Sequence, residues 1–157
     1  MSEWKVELNK GDINVEIRDA TLNDINELTF LMEQLGYPTT IENMETRFKN
    51  IELNPDYKTL LATFDGKVVG MIGLLKGYYY EMDGCYVRIV ALVVNSSYHS
   101  KGIGKKLIAE AENWSRKIGA TGIGLNSGNR PERVKAHKFY KNRGYVEKSI
   151  GFAKGLI

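Results

Sequence analysis

At 157 residues, 43% of them hydrophobic and 26% charged, the chain is long enough for one domain with a real core, too short for two comfortable ones, and unlike disordered or fibrous sequences. Its 22 basic and 19 acidic residues leave a net charge of +3, too little to point to nucleic acid without a localised patch. The single cysteine, Cys85, excludes an intrachain disulfide, and no stretch reads as a leader or a membrane span, so a cytoplasmic protein with neither membrane nor nucleic-acid partners is expected.

Residues 1–13 carry little pattern and read as a loosely held arm of a single domain covering 1–157. "VEIRDA" alternates Val15 and Ile17 with charged neighbours, as a half-buried strand does. Thr21 with Asp24 resembles a helix start, and Leu22, Ile25, Leu28, Met32 and Leu35 recur at helical spacing until Gly36. A second helix is expected from a Thr39/Glu42 capping box through Ile41, Met44, Phe48 and Ile51 to Asn54 and Pro55. Three apolar runs follow, "KTLLATF", "KVVGMIGLLKGYYY" and "CYVRIVALVV". Asp65-Gly66 and Asp83-Gly84, dipeptides that favour hairpin turns, join them into three antiparallel strands.

Ile103, Leu107, Ile108, Ala111, Trp114 and Ile118 form the apolar stripe of a third helix, ended by Gly119. "TGIGLN" reads as a short buried strand. Asn129 and Glu132 around Pro131 read as the start of a last helix that runs to Arg143 and stops at Gly144. "YVEKSIGFAKGLI" supplies one or two closing strands. The order β-α-α-β-β-β-α-β-α-β contains a strand-helix-strand unit over 86–126, so the fold class is α/β with a mixed, mostly antiparallel twisted sheet and about four helices on its two faces.

Between the third hairpin strand and the third helix stands "SYHSKGIGKKL", two glycines and three lysines where a strand hands over to a helix. The first N–H groups of a helix have no intrahelical partners, and that end carries roughly +0.5 charge. Glycines let the chain curl so that those groups meet an anion, pyrophosphate above all. Two familiar phosphate loops do not fit. A P-loop needs glycine where His99 stands and Ser or Thr where Lys106 stands, and a dinucleotide fingerprint needs Gly or Ala where Leu107 stands.

The loop resembles the signature of the GNAT superfamily of acyl-CoA N-acyltransferases, which is Arg or Gln, two residues, Gly, one residue, then Gly or Ala. Residues 87–145, from "VRIVALVV" through "SGNRPERVKAHKFYKNRGY", resemble the family's central strand, loop, helix, strand and last helix. "IRDATLND" and "LGYPTT" resemble its usual opening and "GFAKGL" its usual ending. Two positions depart from the pattern: His99 stands in place of Arg or Gln, and Ser100 where glycine is most frequent.

The resemblance implies a GNAT-like fold and acetyl-CoA as co-substrate, with no metal. It implies a pyrophosphate on the amides around His99, Ser100, Lys101, Gly102, Ile103, Gly104 and Lys105, and a pantetheine arm beside Leu92, Val93 and Val94. Tyr140 matches the tyrosine facing the departing sulfur, and Asn129 is a candidate contact to the cofactor arm or a helix cap. A lysine-like amine with a pKa near 10.4 costs roughly 4.6 kcal/mol to deprotonate at pH 7, so a general base is wanted. Glu81 is the first candidate, with Asp83 and Glu33 behind it, and Tyr78, Tyr79 and Tyr80 are candidates to line an acceptor pocket. The expected activity is acetyl transfer to a primary amine of a small molecule, peptide or protein. The alternative is a non-catalytic acyl-CoA sensor or partner module. The resemblance also implies a homodimer paired through the closing strands.

Overall fold

The computed structural model describes residues 14–157, and the arm expected over 1–13 lies outside them. Strand β1 (Val15–Asp19) leads through a 3-10 turn into helix α1 (Ile25–Leu35), followed by α2 (Ile41–Glu52). Strands β2 (Tyr57–Phe64), β3 (Lys67–Tyr78) and β4 (Cys85–Val94) come next, then α3 (Ile103–Lys117), β5 (Ala120–Gly124) and α4 (Val134–Asn142).

The strands lie in chain order, β1-β2-β3-β4-β5. The first three junctions are antiparallel; β4 and β5 run parallel because α3 carries the chain back between them. Strand alternation divides the apolar side chains between two layers. Leu60, Ala62, Ile72 and Leu74 meet Ile103, Leu107, Ile108 and Ala111 of α3, with Phe139 and Tyr140 of α4 packed against them. Leu61, Met71 and Val93 meet Leu28 and Leu31 of α1 and Met44 and Phe48 of α2 on the other face.

Local signals explain most element boundaries. Thr21 and Asp24 form the expected capping box ahead of α1, and Arg18 grips the same carboxylate with two bonds of 2.8 and 2.9 Å. That guanidinium holds the Asp24 carboxyl below the usual carboxylate range, against the opposing effect of burial. Asp65 and Gly66, at φ +54° and +77°, make the tight β2–β3 turn their dipeptide predicts. Gly36, Gly119 and Gly144 close α1, α3 and α4 with positive φ.

Several expectations are corrected. The cap of α2 is Thr40, whose hydroxyl accepts from Asn43 N at 3.1 Å; Thr39 stands one residue too early and leaves its hydroxyl buried without a partner among the described residues. The Asp83-Gly84 hairpin turn does not form as a tight turn. After Tyr78 pairs with Cys85, the chain leaves the ladder over 79–84, and the Tyr79 ring packs on Tyr86 at 5.1 Å. Strand β5 is shorter than "TGIGLN" and half exposed, since it is an edge strand. Arg130 caps the 3-10 turn over Pro131–Arg133 and Arg133 caps α4, neither with a side-chain bond, so Asn129 is not a helix cap.

The closing strands expected over 145–157 are also absent. Residues 146–157 have no regular structure, and Val146, Ile150, Phe152 and Leu156 stand exposed. Alternation favours a strand only where a neighbouring edge supplies hydrogen bonds, and no described strand pairs with this segment.

Gly70 of β3 marks where α3 presses hardest on the sheet. A Cβ there would lie 3.1 Å from the Val93 carbonyl oxygen and 3.3 Å from both Ile103 Cγ2 and Leu107 Cδ1. A backbone carbonyl cannot turn aside, so Gly70→Ala is expected to destabilise the fold by about 2 kcal/mol through overpacking. A urea midpoint equal to wild type would show that α3 has slack at this point.

Candidate active site

The loop from β4 to α3 is held at its near end and left open at its far end. Buried Asn95 donates its own N–H to Val69 O at 2.8 Å, while its side-chain oxygen accepts from Ser97 N at 3.0 Å. Ser96 N donates to Gln34 Oε1 of α1 at 2.9 Å. From Ser100 to Lys105 no backbone amide has a hydrogen-bond partner among the described residues; the next one, Lys106 N, begins the helical ladder by donating to Gly102 O at 3.1 Å. Ser100 at φ +62° and Gly102 at φ +78° turn the chain here. For the serine, this left-handed conformation costs about 1–2 kcal/mol, so the loop holds strain beside its open amides.

The expected loop residues divide by role. Lys101 and Lys105 are exposed and flank the open amides. The Ile103 side chain is core and points away, so only its amide is available. At Gly104 the start of α3 lies against α4, where a Cβ would meet the Phe139 ring at 3.4 Å, an ordinary contact. His99 does not face the open amides with its Nε2. That nitrogen lies 3.0 Å from the Val94 carbonyl oxygen, and because a carbonyl only accepts, Nε2 carries the proton. The imidazole thus ties the loop back to the end of β4.

A cleft of about 280 Å³ opens where β5 parts from β4. The two strands pair only from Cys85↔Ala120 to Arg88↔Gly124, so the later residues of β4 have no strand partner on that side among the described residues. Val90 is left over in the β3–β4 register, between Leu74↔Ile89 and Gly73↔Ala91, and this bulge bends β4 at the cleft. Residues 89–92 form one wall and 125–128 another, with Leu35 and Tyr37 from the α1–α2 side and Arg130, Arg133 and Tyr140 from the α4 side. Arg133 Nη2 donates to Ser127 Oγ at 3.3 Å, and His137 Nε2 lies 2.9 Å from Gly128 O, so α4 pins the loop after β5. A hollow of similar size, about 290 Å³, lies against Asn14, Glu16 and the Asp65 turn and shares no residue with this cleft.

Tyr140 is held by ring contacts with Phe139 at 5.4 Å and Tyr145 at 6.1 Å. Burial pushes its phenol above the ordinary tyrosine range, with Arg133 pulling the other way, so the hydroxyl keeps its proton at neutral pH. Tyr145, behind it, is pushed up to about 12 by burial and then by Glu112, and its hydroxyl is buried without a partner among the described residues. Tyr145→Phe is therefore expected to raise stability by about 1 kcal/mol. Because the folded pKa lies above the ordinary 10.0, the wild type keeps the Tyr145 contribution below pH 10 and loses it as pH rises toward 12, a loss the variant should lack. Equal urea midpoints at pH 7 and parallel decline above pH 10 would contradict this.

Of the other expected residues, Leu92 lines the cleft, while Val93 packs toward α1 and α2 and Val94 toward α3. Glu81, Asp83 and Glu33 are exposed and none lines the cleft, nor does Asn129. Tyr78 and Tyr80 face solvent, and Tyr79 packs on Tyr86 and accepts from the Thr121 hydroxyl at 3.2 Å, so the tyrosine run is not part of the lining. Sequence reasoning missed Tyr37, Val90, Arg130 and Arg133. A signal existed for Arg133, which with His137 and Tyr140 follows i, i+4, i+7 spacing along one helical face.

Comparison with known proteins agrees with this geometry. The model of the acetyltransferase (GNAT) family matches residues 22–145. The chain is 31% identical over 142 residues to the aminoalkylphosphonate N-acetyltransferase of Salmonella typhimurium, covering 90% of this chain and 91% of that protein. A GNAT family acetyltransferase structure from Staphylococcus aureus superposes with a TM-score of 0.80 at 35% identity, covering 92% of this chain and all of that one. The glucosamine-6-phosphate N-acetyltransferase of Arabidopsis thaliana shares the fold, with a TM-score of 0.74 at 22% identity over 92% of this chain and 99% of that one.

Proposed function

Because the chain belongs to the acetyltransferase (GNAT) family, we propose that it moves the acetyl group of acetyl-CoA to the primary amine of a small molecule, by direct attack in a ternary complex. The observation that carries this reading is the run of unpartnered amides at residues 100–105, on the loop that follows β4, together with a cleft that opens where β5 leaves that same strand. The name of the Salmonella relative supports a small-molecule acceptor over a protein side chain.

Acetyl-CoA supplies, when bound, the activated acetyl group and a thiol as leaving group. The open amides of the loop, with Lys101 and Lys105 as point charges, hold the pyrophosphate at the positive end of α3. The unpaired side of β4, around Leu92 and Val93, orients the pantetheine arm; the Val94 carbonyl is already engaged by His99. An N–H aimed at an oxygen that gains charge in a water-poor site contributes about 3 kcal/mol, and holding the reactants together contributes up to roughly 7–11 kcal/mol. Positioning therefore dominates.

The protonated Tyr140 hydroxyl donates toward the leaving sulfur. Among the described residues no carboxylate lines the cleft, so the amine gives its proton to water rather than to Glu81. The exposed apolar side chains of 146–157 suit a homodimer in a cytoplasmic enzyme, checked by sedimentation at twice 17.7 kDa.

The test combines calorimetry of CoA and acetyl-CoA with thiol release over a panel of amines. Both coenzymes should bind, and kcat/KM should climb about tenfold per pH unit between pH 7 and 9, following the free amine. Absence of binding heat for either coenzyme would end the proposal. A plateau from about pH 6–7 would instead reveal a protein base.

A further inference from the structure

Two charged groups in the cleft are not needed for the acetyl transfer itself. Arg130 and Arg133 run over one wall: a Cβ on Gly128 would lie 3.8 Å from Arg130 Nε and 3.7 Å from Arg133 Cγ. Their present partners are thin. Arg130 Nε meets Glu132 Oε1 at 3.4 Å in a pair whose side chains are 72% and 63% exposed, and such pairs hold little. Arg133 spends one of its five donors on Ser127 Oγ at 3.3 Å. Glu132 does not line the cleft, and among the described residues no Asp, Glu or Lys does, so the charge on the described lining is that of the two guanidiniums.

This distribution discriminates among amines. A polyamine or other multiply cationic acceptor would be repelled, and an amine without a second polar group would leave both forks unused. A guanidinium fork matches a phosphonate, phosphate or carboxylate, donating to two of its oxygens at once. The hydroxyls of Tyr37 and Tyr140 add polar groups on the same cleft without adding charge.

Resting on the transferase reading above, we propose that the acceptor is a small amine that also carries an oxyanion, and that Arg130 and Arg133 are the residues that select it. The anion seats on the wall over Gly128, while the amine end reaches toward β4 and Tyr140. Glu132 is displaced from Arg130 when the anion arrives.

The experiment uses amines of matched chain length ending in phosphonate, phosphate monoester, carboxylate, methyl or ammonium, each assayed for thiol release and for heat of binding. The oxyanion-bearing amines should exceed the methyl and ammonium amines in kcat/KM by about 100-fold. Their order identifies the anion: phosphonate and phosphate first if a tetrahedral group is seated, carboxylate first if a planar one is. Arg130→Gln, at an exposed position, should raise KM for the oxyanion amine about tenfold with kcat nearly unchanged, leave the methyl amine unaffected, and be partly rescued by Arg130→Lys. Arg133→Gln should act in the same direction.

Comparable kcat/KM for the methyl amine would overturn the proposal and leave the transferase reading intact. So would arginine variants that weaken CoA binding while sparing acceptor KM, since the guanidiniums would then serve the coenzyme. If no amine is acetylated yet the oxyanion amine binds and Arg130→Gln abolishes that heat, the selectivity stands and the transferase reading falls. No turnover from any amine together with no heat from any oxyanion amine removes both.

Discussion

Replacing Tyr140 by phenylalanine is expected to lower kcat about 100-fold, while the Kd for CoA changes less than about threefold. The residue is chosen by placement: it lines the cleft beside the unpaired stretch of β4, and its ring is fixed between Phe139 and Tyr145. Phenylalanine keeps both ring contacts and removes only the donor. A phenol pushed above its ordinary range is a weaker acid than a thiol of pKa about 8.5, so it stabilises a departing thiolate by hydrogen bonding rather than by full proton transfer. The same shift keeps the phenol protonated through neutral pH and above, so the wild-type rate should show no decline from this group until pH enters the tyrosine range. A variant turning over within threefold of wild type would remove Tyr140 from the mechanism, and an equal loss of CoA affinity would make it a coenzyme contact instead.

Gly102→Val is expected to weaken CoA binding by about 30- to 100-fold, with far less effect on the stability of the fold. Crowding by the protein is not the cause, because a Cβ at this position meets nothing within 4 Å. The cause is φ +78° at the residue that caps α3. A left-handed conformation costs an L residue roughly 1–2 kcal/mol, and a β-branched one more. Valine relieves that strain by rotating to negative φ, which re-aims the amides that open the helix. Gly102→Asn, which tolerates the left-handed region, should retain most of the affinity. If asparagine loses as much as valine, side-chain bulk against the ligand is responsible and the backbone account is wrong.

Those two residues differ in how far the letters could reveal them. Gly102 and Gly104 were legible because a glycine pair between an apolar strand and an amphipathic stripe is a local pattern, and local patterns act within a turn of chain. His99 was legible as a departure from a motif, but its bond to the Val94 carbonyl depends on how the loop folds back on β4. Tyr140 was legible through the resemblance, whereas Arg130 and Arg133 carried no sequence signal of a shared wall until β5 and α4 placed them over Gly128. Glu81 looked suitable as a base by chemistry alone, yet it sits on the β3–β4 connection outside the cleft. The tail carried strand alternation without a strand, since its hydrogen bonds had no edge to meet.

By itself the sequence determined the order of the elements through α4, the Asp65 turn, the glycines that end helices, and the loop that presents bare amides, all of which rest on interactions between near neighbours in the chain. The tertiary structure alone decided that positions as far apart as Tyr37, Val90, Asn126 and Tyr140 line one cleft and that, among the described residues, it carries two cations and no carboxylate. The physical reason is that this lining is created by the parting of β5 from β4 and the packing of α4 across the gap, and contacts of that range leave no periodic trace in the chain.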